Sequence, residues 1–518
     1  MAEPCLLGVD LGTMGTKAAL YDFEGKLLGD AYEESILRYP RVGWVEQDLE
    51  EIYASAVNCI VLARERAGVD AGCIAALAFS SQMSGVGMID RDWRPVAHYD
   101  SWLDTRCAAC LPLLQPEAER MTALSGCPPT YAHAAKVVWW RRNQPEAFAR
   151  TAKFIVPLAY VAGKLAGLKA EDAYIDLTCL HFSGLSDTLR GRWSEELLDR
   201  FDIPSAKLPR IVSPTQVIGE VTAEAARVTG LRAGTPIAAG AGDQAAASLG
   251  AGAVSPADAF DSAGTASVFS ICVDQFRPDL RNQVVLASHG VIPGTFYALS
   301  FINGGGLNLR WFREQFGQAD LAGAPVADAY RVLDRLAAAV PPGSGGTIFI
   351  PHLQGRVLPP DAKLRGLWTG FTWAHSRAHL YRAMLEAVAY EYAYYLRIEQ
   401  ELHPELRCRE VRAIGGGAAS ALWNQIKSDV LDIPYARVNR AEVGTWGSAM
   451  IAGAAVGIFG DLSATARSHA GLSGRVEPRP DQHRLYRPYV ELYRKILEDY
   501  SAHFGVLADL ADQAESPG

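Results

Sequence analysis

Long apolar runs are missing from this sequence. Its small-residue stretches, such as residues 449–458, are too short to cross a bilayer, so no membrane partner is expected. A basic region ahead of a long apolar segment is missing too. The start, MAEPCLLGVDLG, does not read as a signal peptide, and a cytoplasmic location is the expectation. Positive charge is not in excess. With 49 Lys and Arg against 58 Asp and Glu, the net charge is −9, which argues against nucleic acid as a partner. Small anions are not excluded, because backbone N–H groups hold a phosphate without a basic surface. Cysteine is sparse and unpatterned. Nine are scattered over 518 residues, and the Cys107/Cys110 CxxC has no second pair at zinc-finger distance, so reduced structural thiols are expected. No low-complexity linker is visible, which predicts domains that share a broad interface over a cleft. What is present is an ordinary globular composition, 49% hydrophobic and 21% charged. The length exceeds one core and predicts two large domains or three smaller ones.

The densest chemistry lies at residues 236–267. An apolar run at 236–239 ends in Gly240-Ala241-Gly242 and then an acid, Asp243; a small-residue helix is expected over 244–249. A second glycine corner follows at Asp261-Ser262-Ala263-Gly264-Thr265, and the main boundary is placed within 250–256. A carboxylate at a strand tip suits a base presented to a small polar substrate. Asp243 as the N-cap of its helix fits the same residues.

Near the start, residues 6–9 form a short strand ending at Asp10. The turn Leu11-Gly12-Thr13-Met14-Gly15-Thr16-Lys17 follows, and residues 18–21 return as a second strand. No helical pattern follows Gly15, which favours a β-hairpin over a dinucleotide-binding crossover. The GxxxxGK[ST] phosphate loop is absent. Glycine turns of this kind point N–H groups and threonine hydroxyls at phosphate. Asp10 is placed to meet a divalent cation through water, although a tight structural turn with a capping Asp fits as well. Residues 49–65 read as an amphipathic helix entered through Asp48. A buried strand at 74–79 empties into Ser80-Ser81-Gln82-Met83-Ser84-Gly85, whose polar side chains suit the reading of hydroxyl groups. In Trp102-Leu103-Asp104-Thr105-Arg106, an Asp held by Arg accepts from sugar hydroxyls while a Trp ring covers a C–H edge. A salt-bridged helix start explains that stretch equally. Helices are predicted over 131–142, 376–399 and 485–504, with disorder after Asp509. Three glycines in Gly415-Gly416-Gly417-Ala418-Ala419-Ser420, at a strand-to-helix turn, allow close approach by a flat or anionic ligand.

Taken together, the segments 10–17, 81–85 and 102–106, Asp243 and the run 415–424 resemble the FGGY carbohydrate kinases. That family includes xylulose, ribulose, gluconate and glycerol kinases. Two further stretches resemble its signatures: Tyr131-Ala132-His133-Ala134-Ala135-Lys136-Val137-Val138-Trp139-Trp140, and Gly366-Leu367-Trp368-Thr369-Gly370 reaching His379 and Glu386. The resemblance implies an α/β fold of two actin-like ATPase domains of ribonuclease H-like topology around a central cleft. Residues 1–253 would bind the sugar and 254–518 the nucleotide. It implies ATP and Mg²⁺, with Asp243 as catalytic base, near its ordinary pKa and ionised at pH 7, and Asp10 and Asp243 at the metal. Gly12, Thr13, Thr16, Lys17, Gly264 and Thr265 would line the phosphates, and Gly416, Gly417, Ala418 and Asn424 the adenosine site. Ser81, Gln82, Met83, Ser84, Trp102, Asp104 and Gln244 would face the sugar. Gln82-Met83 is similar to the xylulose and gluconate branches; glycerol kinases carry Arg-Glu at Met83-Ser84. The implied reaction is transfer to the terminal hydroxyl of a pentulose, D-xylulose first, with ribulose, another polyol or gluconate as alternatives. An actin-like structural or sugar-sensing protein is the non-enzyme alternative. A homodimer is compatible with the sequence.

Overall fold

Glycine at both ends of a four-residue turn makes the first structural decision of the chain. In the computed structural model, which describes residues 4–318, 320–321, 325, 328–440 and 442–515, the Gly12 N–H donates to the Gly15 carbonyl at 3.0 Å. The turn joins β1 (Cys5–Leu11) to β2 (Gly15–Asp22) as the expected antiparallel hairpin. It is tighter than expected. Thr16 and Lys17 lie in β2, paired with Leu11 and Asp10. The chain continues through β3 (Leu27–Glu34), α1 (Leu49–Ala67) and β4 (Ile74–Ser81). Helix α1 starts where Asp48 accepts the Glu50 N–H, and it stops at Gly68, which takes the left-handed conformation at φ 61°. Much later in sequence come β5 (Pro236–Ala238) and α2 (Asp243–Gly250).

The chain divides into two compact units. The first comprises Met1–Pro256, Cys272–Tyr297 and Arg440–Gly471; the second comprises Ala257–Ile271, Ala298–Asn439 and Leu472–Gly518. In the first unit the sheet runs β5-β4-β1-β2-β3, with Val217–Glu220 added outside β5. Strands β1 and β4 are parallel, and both are almost wholly buried, as inner strands covered on two faces must be. The second unit has β6 (Asp258–Ala263), most of β7 (Ser267–Val273) and of β8 (Phe296–Ile302), α3 (Gly305–Gln315), α4 (Arg377–Leu402), β9 (Glu410–Ile414), α5 (Ala421–Leu431) and β10 (Tyr435–Val438). Its strands run β8-β7-β6-β9-β10. Counted from the start of each unit, both sheets have the order third, second, first, fourth, fifth, and both open with an antiparallel hairpin followed by a parallel pair. This repeated order is the ribonuclease H-like topology that the resemblance implied.

The chain then supplies the first unit with α6 (Val443–Ala455). This helix lies backbone against backbone on β1 and α2. A Cβ at Gly8 would stand 1.8 Å from the Thr445 carbonyl oxygen, and one at Gly447 would stand 1.9 Å from that of Ala246. Only glycine permits that approach, and α2, which begins at Asp243, is seated by it. The last helix, Pro480–Glu515, corrects two expectations: it continues beyond Phe504, and it runs through the segment after Asp509 that was expected to be disordered. Residues 516–518 of that segment lie outside the described residues. None of the nine cysteines is in a disulfide. Among the described residues no helix is long and apolar enough to cross a membrane.

Candidate active site

Three parallel segments end side by side in the first unit. Asp10 of β1 is level with Ser80 of β4, and Ser80 is level with Ala241; one residue on, Leu11, Ser81 and Gly242 are aligned. The residues leaving these tips are Gly12-Thr13, Gln82-Met83-Ser84 and Asp243-Gln244. The C-terminal edge of a parallel sheet is where α/β folds place ligands. Ser80 donates to Asp10 Oδ1 at 2.8 Å. Asp243 is the first residue of α2, and Gly242 holds the N-cap position, so the N-cap expectation is corrected. The Asp243 Oδ1 accepts from the Gln244 N–H at 2.7 Å.

The ordinary pKa expected for Asp243 is corrected as well. Burial, followed by the negative charge of Asp10, pushes its carboxyl up to about 7. Asp10 is also raised by burial, against the Ser80 hydrogen bond and the Lys17 charge. Lys17 itself is engaged: its Nζ lies 2.8 Å from Glu442 Oε2. Thr16, expected at the phosphates, is 1% exposed within β2 and does not line the turn. Among the described residues no group of three or more His, Cys, Asp or Glu is set to hold a metal. The Asp10/Asp243 pair nevertheless suits Mg²⁺. That ion keeps much of its water and takes one or two carboxylates together with phosphate oxygens, rather than a full protein cage.

A closed polar network forms the floor beside these acids. Trp102 Nε1 donates to Thr13 Oγ1 at 2.7 Å, and the Thr13 hydroxyl lies 3.4 Å from Gln82 Oε1. Gln82 Nε2 donates to Gln47 Oε1 at 2.7 Å, and Gln47 Nε2 reaches back to the Thr13 carbonyl at 3.3 Å. Thr13 therefore belongs with the Trp102 and Gln82 side chains. Gln82 and Ser81 are buried, at 1% and 0%, and they support this layer from behind. Ser84, Trp102, Asp243 and Gln244 are only half-buried. Ser84 carries a left-handed backbone, φ 68°, which a non-glycine residue adopts only when its surroundings impose it. Gln47, in the short strand Glu46–Gln47, was missed because nothing in its local sequence marks it as the partner of Gln82.

Asp104 does not face outward as expected. It is fully buried, with Oδ2 accepting from the Val45 N–H and Arg106 Nη2, both at 2.7 Å, and Oδ1 accepting from the Arg106 N–H at 2.9 Å. A saturated carboxylate has no acceptor left for a sugar hydroxyl. Its work is to hold the Trp102 loop. The signature helix His133–Asn143 does the same from the other side: buried Lys136 donates to the Ser101 and Asp104 carbonyls at 3.0 and 2.8 Å.

In the second unit, Gly264, Thr265 and Ala266 close the β6–β7 turn, the counterpart of Gly12–Met14 in the first. The N–H groups of Gly306 and Leu307, at the start of α3, donate to the Gly264 and Thr265 carbonyls, each at 3.1 Å. Gly415 is left-handed at φ 80°, and a Cβ on Gly417 would reach 2.5 Å from the Trp423 ring, so these two positions require glycine. Gly416 faces open space. That geometry suits a flat ligand at Gly416. Ala418 and Asn424, expected to bound adenosine, are buried instead, and Asn424 Nδ2 donates to the Ala418 carbonyl at 2.9 Å to pin the turn.

Comparison with known proteins agrees with this architecture. Residues 5–250 match the N-terminal domain of the FGGY family of carbohydrate kinases, and residues 259–456 match its C-terminal domain. A glycerol kinase of Aromatoleum aromaticum is 32% identical over 496 residues, covering 91% of this chain and 94% of that enzyme. A xylulose kinase of Bacillus subtilis is 25% identical over 497 residues, covering 95% and 96%. A xylulose kinase structure from Rhodospirillum rubrum superposes with a TM-score of 0.84 at 25% identity, over 97% of this chain and all of that one. On both domain matches and these full-length relatives, the chain belongs to the FGGY family of carbohydrate kinases, and its activity is the ATP-dependent phosphorylation of a carbohydrate.

Proposed function

We propose that the enzyme transfers the γ-phosphoryl group of ATP to the terminal hydroxyl of a pentulose, with D-xylulose as the leading substrate. One observation carries the reading: Asp243 stands at a strand tip beside Asp10, next to the Thr13–Trp102–Gln82 layer. Asp243 accepts the hydroxyl proton while the sugar oxygen forms its bond to phosphorus and the bond to the ADP oxygen breaks. A carboxyl raised to about 7 is a stronger base than an ordinary Asp and is still about half ionised at neutral pH. Asp10 and Asp243 would hold Mg²⁺, which when bound neutralises charge on the transferring phosphate. Trp102 offers an apolar face to sugar C–H groups, its indole fixed by Thr13. Gly264, Thr265, Gly416 and Gly417 receive the nucleotide by close backbone approach.

The neutral Met83-Ser84 pair, in place of Arg-Glu, supports a ketose over glycerol, and the B. subtilis and R. rubrum relatives bear xylulose-kinase names. The 32%-identical glycerol kinase is the counterweight. ADP release measured with D-xylulose, D-ribulose, ribitol, D-gluconate and glycerol separates them. D-Xylulose should show the highest kcat/KM. Turnover of gluconate or glycerol with no response to either pentulose would overturn the substrate.

A further inference from the structure

We propose that Thr178 is a positioning residue for phosphoryl transfer: its hydroxyl fixes the backbone at Gly242, and through it the Asp243 carboxylate. The inference rests on the reading of Asp243 as the base. Gly242 is the last residue of the strand tip, and its N–H donates to Thr178 Oγ1 at 2.9 Å, in buried surroundings and from 64 residues away. The Thr178 hydroxyl in turn donates to Asp176 Oδ1, which also accepts the Thr178 N–H at 2.8 Å. A carboxylate only accepts. The Thr178 proton is thus committed to Asp176, and an oxygen lone pair is left aimed at Gly242.

The same segment braces the strand earlier, where the Tyr174 hydroxyl donates to the Ala239 carbonyl at 3.0 Å. From the other side Met83 closes on Gly242: a Cβ there would come 2.5 Å from both Met83 Sδ and Cε. Gly242 is therefore gripped between a hydroxyl and a thioether, directly before Asp243. Thr178 is 1% exposed and Asp176 is fully buried, so neither touches a substrate. What they control is where Asp243 stands, and misplacing a reacting group by about 1 Å costs on the order of 10²-fold in rate.

Steady-state kinetics of Thr178→Val, Thr178→Ser and Asp243→Asn, on protein checked for folding by circular dichroism, test the proposal. Thr178→Val should lower kcat by about tenfold or more while KM for ATP stays within about twofold, and Thr178→Ser should recover most of the rate. Wild-type kcat in Thr178→Val, or equal damage in the Ser variant, would overturn it. If the valine variant does not fold, Asp176→Ala removes the acceptor that orients the hydroxyl and should lower kcat in the same KM-neutral way; wild-type kcat there also overturns the proposal. Asp243→Asn separates the two readings. An active Asp243→Asn refutes the base itself, whereas an inactive one beside a fully active Thr178→Val refutes only the positioning role.

Discussion

Asp243→Asn should lose at least ~10²-fold in kcat, the range assigned to a positioned acid–base group. Asparagine keeps the shape of the side chain and an oxygen able to accept from the Gln244 N–H, now at 2.7 Å. It removes the proton acceptor and one of the two charges at the strand tips. The backbone turns assigned to the nucleotide, Gly264-Thr265 and Gly416-Gly417, are left unchanged, so ATP affinity measured without sugar and without Mg²⁺ should stay within about threefold. Rapid-quench or coupled ADP assays measure the first quantity and calorimetry the second. Turnover near that of the unmodified enzyme would remove Asp243 from the chemistry. A loss confined to ATP affinity would move it to the nucleotide side.

What the sequence disclosed depended on how local the cause was. The β1–β2 hairpin was legible because its turn is set by Gly12 and Gly15 themselves, and α1 because Asp48 and Gly68 punctuate an amphipathic run. The strand tips were legible too: an apolar stretch that ends in glycine and then an acid is a local signal. Orientation was not. Within Trp102-Leu103-Asp104-Thr105-Arg106 the right chemical groups were evident, yet which one turns inward is decided by the Val45 N–H, 59 residues earlier, and by Lys136. Thr16 fell on the buried face because β2 already begins at Gly15, ahead of the expected residue 18. The pKa of Asp243 follows from burial and from Asp10, far away in sequence. Thr178 lay in a polar stretch with no distinguishing motif, and only the folded chain brings it to Gly242. Site residues that act by being held were therefore the hardest to read.

Lys427→Met should destabilise the protein by about 3–5 kcal/mol, the cost of leaving a buried charge without its partner. Lys427 Nζ lies 2.6 Å from Asp261 Oδ2, and neither side chain is exposed. The Tyr392 hydroxyl donates to Asp261 Oδ1 at 2.8 Å, and the ammonium stacks 3.9 Å from the Trp423 ring centroid. Burial lowers the pKa of Lys427, and the Asp261 charge opposes that fall. Methionine preserves much of the stem's volume and deletes the charge, stranding Asp261. Asp261→Asn combined with Lys427→Met should be clearly more stable than Lys427→Met alone, because no ion then remains unpaired. Guanidinium unfolding followed by circular dichroism gives the ranking, and a Lys427→Met variant as stable as the parent would refute it. Function should follow stability here. Asp261 belongs to β6, which runs straight into Gly264-Thr265, and Lys427 belongs to α5, which leads away from the Gly415–Ala418 turn. One ion pair thus ties both glycine turns of the second unit to a common frame, and folded Lys427→Met at low temperature should show a raised KM for ATP ahead of any change in sugar KM.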